Sequence, residues 1–548
     1  MSATATRPMP AAPARARTGP LVSTAALVRF MLRRDRARIA LWIGGIAGLT
    51  SVVAATFPGL YPGQQDRQVL AQTMASPAAV AMTGQNHAGP GDYTFGAMMG
   101  HQMLWATTLA VGLMSVLLVV RQTRAEEATG RAELVRAAIV GRHATTAAAL
   151  LVATIASLAV AVTVAVMLAA LGVESIEWAG SWLYGAAHAA VGVTFAGIAV
   201  IAVQVTEHPR GAVGIGVGAL GAAYVLRAIG DVTVGALSWL SPLGWAQATE
   251  VYVTNRWWPL LVAVAVTPLL VAAGVALSAR RDVGAGLKAP RGGRAAGSAA
   301  LTTALGSAVR LQRATLIGWA GALLVLGVMY GSVLGEADQW FAEIEMLGEL
   351  VPGADVGVVE AFAGMITMVM AIVASAYAVI AGQRARSEEM AGRAEPILAT
   401  AVSRTRWVAS HIAVVLVGSV LILLVGALGL GAAGAAATGD VGLLPQMLLA
   451  GASYAPALWV VTGLVVALFG LAPRAIPAAW ALVVYSFLVL YLGAFLDFPE
   501  WMEALTPFGH VAPYPAESLA VAPLVALTLV AAALIAGGLA TFNRRDVQ

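Results

Sequence analysis

The stretch Arg124-Ala125-Glu126-Glu127-Ala128-Thr129-Gly130-Arg131-Ala132-Glu133 returns as Arg386-Ser387-Glu388-Glu389-Met390-Ala391-Gly392-Arg393-Ala394-Glu395, at an offset of 262. Arg, Glu, Glu, Gly, Arg and Glu recur at the same spacing, and the same offset aligns Arg142 with Arg404. Further landmarks follow at nearly constant offsets. Pro209-Arg210 matches Pro473-Arg474 at 264, Ser241-Pro242-Leu243-Gly244 matches Thr506-Pro507-Phe508-Gly509 at 265, and Asp231 matches Asp497 at 266. Similarity at a fixed period is the mark of duplicated architecture. It predicts two halves in parallel orientation, residues 21–280 and 301–548. A Gly/Ala/Arg-rich linker at 281–300 joins them, and an Ala/Pro/Arg-rich tail at 1–20 is expected to be disordered.

Both copies of the charged stretch lie between long apolar runs. Of the 548 residues 59% are hydrophobic and 11% charged, with no cysteine. A soluble domain carries about 25% charged residues. A soluble enzyme, a disordered chain and a disulfide-stapled module are thereby excluded. A helix crossing the hydrocarbon needs about 20 apolar residues. Twelve such runs occur, near 39–57, 97–120, 144–171, 183–205, 211–229, 258–278, 315–334, 362–382, 407–432, 446–470, 474–495 and 519–541. They are continuous rather than alternating, which excludes a transmembrane barrel. The expected fold class is an all-α polytopic membrane protein of twelve transmembrane helices, six to each half.

Charge sets the expected orientation. With both termini in the cytoplasm, 29 of the 32 basic residues fall on the cytoplasmic side and 18 of the 28 acids fall outside. Seven of those acids lie in the single loop 335–361, where a small extracellular cap is expected. Shifting the topology by one span would invert this asymmetry, which the positive-inside rule forbids. The expected location is the bacterial cell membrane, multi-pass. Arg33-Arg34 precedes an apolar run, but eleven further runs follow it, so the first helix reads as an uncleaved anchor.

The repeated loop is short and rich in helix formers. Glu126 and Glu127 suit a helix N-terminus, and Arg136 and Arg142 suit its later turns. Gly130 and Gly392 permit a turn or a close approach. A solvated hairpin obeying the positive-inside rule accounts for the arginines. It does not account for the same acids, glycine and arginines twice over, which points to a docking role.

With these motifs in place, the chain resembles the permeases of type-2 ATP-binding-cassette exporters. More narrowly, it resembles the actinobacterial polyketide-antibiotic or tetronasin-type members. The resemblance spans nearly all of the chain after residue 20, and it implies two tandem six-helix half-domains. It implies amphipathic connecting helices before spans 1 and 7, matched by the basic segments 22–38 and 301–313. It implies short re-entrant or interfacial helices between the fifth and sixth spans of each half, matched by 230–257 and 496–518. A coupling helix between the second and third spans is matched by the Glu-Glu-x-x-Gly-Arg-Ala-Glu loops. The resemblance further implies a separate cytoplasmic ATPase, two copies per permease, that binds ATP and Mg and pushes on those helices. The coupling set is then Arg124, Glu126, Glu127, Gly130, Arg131 and Glu133, with Arg386, Glu388, Glu389, Gly392, Arg393 and Glu395. Some of these could instead pair within the loop. Pro396 stands where Leu134 stands in the first copy, so the second coupling helix is expected to start later or to kink.

The energy source follows the same lines. A phosphate-binding loop needs Gly-Lys-Ser/Thr, and the only lysine, Lys288, sits in Gly-Leu-Lys-Ala. The chain is therefore expected to be a transport subunit with no catalytic site and no cofactor of its own. Proton-coupled carriers keep ionisable groups inside the membrane. The twelve runs hold no Asp or Glu, and apart from Arg474 at the very start of the eleventh their one base, Arg227, lies four residues from Asp231. An i,i+4 pair with a snorkelling arginine is the expectation there, and His101, His188 and His411 read as packed or helix-end histidines. The loop after span 2 also lacks the Gly-x-x-x-Asp-Arg-x-Gly-Arg-Arg pattern of the twelve-span major facilitators.

Met98, Met99, Met103 and Trp105 in span 2, and Met365, Met368 and Tyr377 in span 8, are candidates to line a permissive cavity. Ordinary packing or lipid contact explains them equally well. The resemblance implies export of an antibiotic, a hydrophobic drug or another lipophilic or amphipathic small molecule. Membrane lipid is the other expected partner. No metal cluster and no nucleic-acid surface is expected. Two other readings stay open: a proton-driven multidrug secondary transporter, and a membrane scaffold that transports nothing.

Overall fold

The computed structural model describes residues 19–545 apart from 234, 282–283, 289–296, 337–357 and 497. The expected cap within 335–361 falls almost wholly outside the described residues, as do the tail before residue 19 and much of the linker. No β-strand occurs among the described residues. Among them twelve helices are long and apolar enough to cross a bilayer, so this is an all-helical polytopic membrane protein.

These helices are α1 (Thr24–Leu60), α2 (Leu104–Gln122), α3 (Ala144–Ala170), α4 (Trp178–Val205), α5 (Pro209–Val232) and α6 (Leu260–Ser278). After the linker come α7 (Ala304–Gly331), α8 (Val358–Gly382), α9 (Arg404–Thr438), α10 (Leu443–Leu471), α11 (Ala479–Leu496) and α12 (Val521–Arg544). The basic segment before the first span is helical, as the resemblance implied, and runs straight into the span. It is the first part of α1, because neither Gly nor Pro interrupts residues 24–43. At 37 residues α1 is about 55 Å long, well beyond the hydrocarbon core. The segment before the seventh span is likewise continuous with α7, whose start Thr303 caps by accepting from the Gly306 amide.

The described residues form two compact units, one within 1–292 and one within 293–548. Their internal neighbours correspond. In the first unit α1 packs on α3, α3 on α4, and both α2 and α6 on α4. In the second, α7 packs on α9, α9 on α10, and both α8 and α12 on α10. Small residues set the closest crossings, since apolar side chains gain little by leaving lipid for another helix. A Cβ at Gly327 of α7 would overlap the Gly426 carbonyl of α9, and one at Gly470 of α10 would overlap that of Gly538 in α12.

The loops before α6 and α12 carry short helices, Pro242–Gln247 and Glu500–Ala504. Ser241 and Thr506, matched by the repeat, are both buried, and so are Leu243 and Phe508 two residues on. Arg227 departs from the expectation. It does not snorkel but is fully buried. Its Nη2 donates to the Met82 carbonyl at 2.9 Å, and its Nη1 lies 3.5 Å from Asp231. The guanidinium also stacks over Tyr224 and Trp105. The helix Pro77–Thr83 supplies the carbonyl, so a protein partner replaces water.

Candidate functional site: the two repeated loops

In the first unit α2 ends at Gln122, and the chain re-forms as two short helices, Arg124–Ala128 and Arg131–Arg136. In the second, Arg384–Met390 and Ala394–Leu398 do the same. The joint is glycine in each case, with φ of +73° at Gly130 and +68° at Gly392. A Cβ would meet nothing there, so the left-handed backbone and not space demands glycine. The second short helix of the second unit starts one residue later than its counterpart, and Pro396 sits in its first turn, where the missing N–H costs little.

The second glutamate of each loop is held by the arginine that follows the last span of its own unit. Arg281 donates from Nη2 to Glu127 Oε1 at 2.9 Å and from Nη1 to Oε2 at 3.0 Å. Arg545 donates from Nη2 to both oxygens of Glu389 at 2.8 Å, while its guanidinium lies over Phe469 and Phe542. Planar guanidinium–carboxylate pairing of this kind is strong and directional. Glu127 has a second partner in Arg124, itself only 1% exposed. Arg124 also donates to the carbonyls of Thr206 at 2.7 Å and Ala285 at 2.5 Å.

Linker residues next to Ala285 are pinned as well. The Leu287 and Lys288 amides donate to the Gln204 and Val205 carbonyls at the end of α4. Residues 287 and 288 are thereby tied to the end of α4.

The first glutamates are braced differently in the two units. Glu126 accepts from Arg34 of α1 at 2.9 Å. Glu388 accepts from Arg384 at 2.7 Å and from Arg393 at 2.6 Å. The Glu388 hydrogen bond raises the Arg393 pKa above its ordinary value. The difference traces to α1 and α7. Aligning Trp42 with Trp319 places Leu311 opposite Arg34 and Gln312 opposite Asp35. Asp35, 2% exposed, accepts from Arg121 at 2.8 Å and Gln122 at 3.3 Å. Gln312 is equally buried, and its Nε2 lies 3.4 Å from His411 Nδ1. Backbone bonds from Gly141 to Val22 and from His143 to Pro20 further tether the first loop to the segment before α1.

Of the proposed coupling set, then, Arg124, Glu127, Glu388 and Glu389 face inward, and Glu126 and Arg386 are half-buried. Gly130, Arg131, Glu133, Gly392, Arg393 and Glu395 are exposed. Beside them, Leu134 and Met390 are 77% and 75% exposed, with Ile139 also outward. In the other candidate set Met98, Met99 and Tyr377 are buried, whereas Met103, Trp105, Met365 and Met368 are half-buried. Tyr377, Met365 and Met368 belong to the packed core of the second unit, and Trp105 lies against Tyr224.

Arg281 and Arg545 were missing from the sequence reading. The signal was present: Arg280-Arg281-Asp282-Val283 recurs as Arg544-Arg545-Asp546-Val547 at offset 264, the same as the Pro-Arg landmark.

Twelve helices long and apolar enough to cross a bilayer among the described residues, with charged loops braced against span ends, define a multi-pass membrane protein. Residues 301–543 match the family model described as multidrug efflux system permease Rv1217c, C-terminal domain. The chain is 37% identical over 534 residues to the multidrug efflux system permease protein Rv1217c of Mycobacterium tuberculosis, covering 96% of this chain and 95% of that protein. The chain belongs to this family of multidrug efflux permeases.

Proposed function

We propose that the chain is the membrane subunit of an ATP-driven exporter, energised by a separate ATPase that docks on the two repeated loops. The observation that carries this reading is the paired clamp. Each loop is tied through Glu127–Arg281 or Glu389–Arg545 to the end of the last span of its own unit. A push on the loop is thus delivered to a membrane helix. The exposed Leu134, Ile139 and Met390, ringed by charge, supply an apolar centre for such a contact. The arginine-rich loops then face the cytoplasm together with both termini. Two ATPase copies, each holding ATP and Mg, would serve residues 21–280 and 301–548 as two half-domains. The inward glutamates brace the loops, and Arg131, Glu133 and Glu395 with the apolar residues meet the ATPase.

The relative's name supports drug-like cargo, and the low charge of the spans suits hydrophobic or amphipathic molecules. The polyketide-antibiotic or tetronasin-type exporters are the narrower class proposed. Purification with the cognate ATPase tests the reading. Two ATPase copies per permease and drug-stimulated hydrolysis are expected. Transport in proteoliposomes driven by a proton gradient with no ATPase would overturn it.

A further inference from the structure

Residues 76–87 of the first unit are held chiefly through their main-chain carbonyls. The helix Pro77–Thr83 within them has seven residues, too few to be stable alone. A helix leaves its last carbonyls without intrahelical partners, and here side chains of three other segments take them. From α5, Arg227 donates to Met82 at 2.9 Å and the Tyr224 hydroxyl to the same carbonyl at 3.2 Å. From the short helix Pro242–Gln247, the Gln247 amide donates to Thr83. From the π-helical turn Met99–Met103 that leads into α2, His101 Nε2 meets the Gly84 carbonyl at 3.0 Å. A carbonyl only accepts, so Nε2 carries the proton, and Nδ1 accepts from the Tyr93 hydroxyl at 2.7 Å. Gly84, at φ +105°, turns the chain off the helix where a Cβ would strike the Gln247 side chain. Beyond it Gln85 Nε2 donates to the Asp231 carbonyl at 2.7 Å, and His87 Nδ1 stands 3.8 Å from Glu250.

Apolar burial adds little. Among the described residues of this segment Ala79 and Gly84 are buried, and Val80, Ala81 and Met82 are half-buried. A segment held by polar bonds with few buried apolar contacts belongs to the low-stability end of a structure, from which moving elements are drawn. Beneath it a space of about 10 Å³, the size of one water, separates Asn86 and His87 from His101, Gln247 and Glu250. The repeat shows that the fold of a half does not call for these donors. At offsets of 262, 266 and 265, His101, Arg227 and Gln247 correspond to Ala363, Gly493 and Ala512. The segment also lies at the end of α2 remote from the repeated loop, since residues 101 and 122 are separated by about 31 Å of helix.

We propose that residues 76–87 are a lid on this remote end of the first unit, latched by Arg227, Tyr224, His101 and Gln247, and that it lifts as cargo is released. The release role rests on the exporter reading, whereas the latch does not. Lifting exchanges bonds to side chains for bonds to water, at a small net cost for each, so the lid opens without unfolding the unit.

Two measurements in the cysteine-free chain test this. The first needs no cargo. Ala79→Cys places a thiol at a buried position of the lid, and Ala196→Cys places one in the buried face of α4 as a control. In detergent, adding Gln247→Ala should speed maleimide labelling of Ala79→Cys about two- to twelvefold, the equivalent of one hydrogen bond, and leave Ala196→Cys unchanged. Equal labelling of Ala79→Cys in both backgrounds, or equal acceleration at both positions, overturns the latch. The second measurement is ethidium efflux from cells carrying His87→Cys with Glu250→Cys. Bridging the two thiols with a short, reducible bis-thiosulfonate should stop efflux, and reduction should restore it. Undiminished efflux with the bridge in place overturns the lid. Absence of efflux by the unmodified chain would strike the exporter reading and the release role with it, leaving the labelling result to stand for the latch alone.

Discussion

Replacing Arg545 by glutamine should uncouple the second loop from α12, and it should do more damage than the same change at Arg281. Arg545 is the only described cation within bonding distance of Glu389, whose side chain is 5% exposed. Removing one partner of a buried pair costs about 3–5 kcal/mol. Arg545 is itself partly exposed, and water entering its place reduces the loss to about 2–3 kcal/mol. That is about a 30- to 160-fold shift in the docking of the loop on the span end. Arg281→Gln removes two charged hydrogen bonds but leaves Glu127 with Arg124, so no charge is stranded and about 1–2 kcal/mol is lost. Hydrogen–deuterium exchange of the purified permease reads both directly. Amides of 386–398 should exchange faster by that factor in Arg545→Gln, and those of 124–136 only about tenfold faster in Arg281→Gln. Adding Glu389→Gln to Arg545→Gln removes the stranded charge and should slow the exchange again without restoring drug efflux in cells. Equal protection in Arg545→Gln and wild type, or a larger effect at Arg281, would refute the clamp.

Three further changes probe the surrounding structure. Gly130→Ala or Gly392→Ala should cost about 1 kcal/mol through backbone strain alone, since space is available, and should appear as local fraying by exchange with an unchanged melting temperature. Arg227→Met strands Asp231 and the Met82 carbonyl and should destabilise the first unit by about 3–5 kcal/mol, read as a lower thermal midpoint in detergent; partial recovery by adding Asp231→Asn is expected. Gly327→Leu forces α7 off the Gly426 carbonyl and should lower stability by about 1–3 kcal/mol or more, whereas Gly318→Leu, with open space around it, should be tolerated.

The spans were readable because the hydrocarbon imposes a length and an apolar composition that no other environment requires. The paired loops were readable because duplication repeats residues whose surroundings are also repeated, and both glycines indeed take the left-handed backbone. What escaped the sequence reading depends on distance along the chain. Arg281 and Arg545 reach glutamates 154 and 156 positions away, and only the recurrence of Arg-Arg-Asp-Val hints at it. The burial of Arg227 depends on a seven-residue helix, Pro77–Thr83, too short to carry a periodic signal. The basic segment before the first span runs unbroken into it because basic residues suit a helix as well as apolar ones do. Unequal bracing of Glu126 and Glu388 comes partly from Arg34 of α1, which the loops do not contain, and partly from Arg384, which stands where the first copy has Gln122.

The chain has no cysteine, which makes site-directed cross-linking clean. Leu134→Cys and Met390→Cys place one thiol on the exposed apolar side of each repeated loop. Mixed with the purified cognate ATPase and a bifunctional thiol–amine reagent, both single variants should form a permease–ATPase adduct, with a yield that changes when ATP and Mg are added. Absence of an adduct at both positions in a preparation that still exports drug would contradict the central claim that the paired loops receive the ATPase.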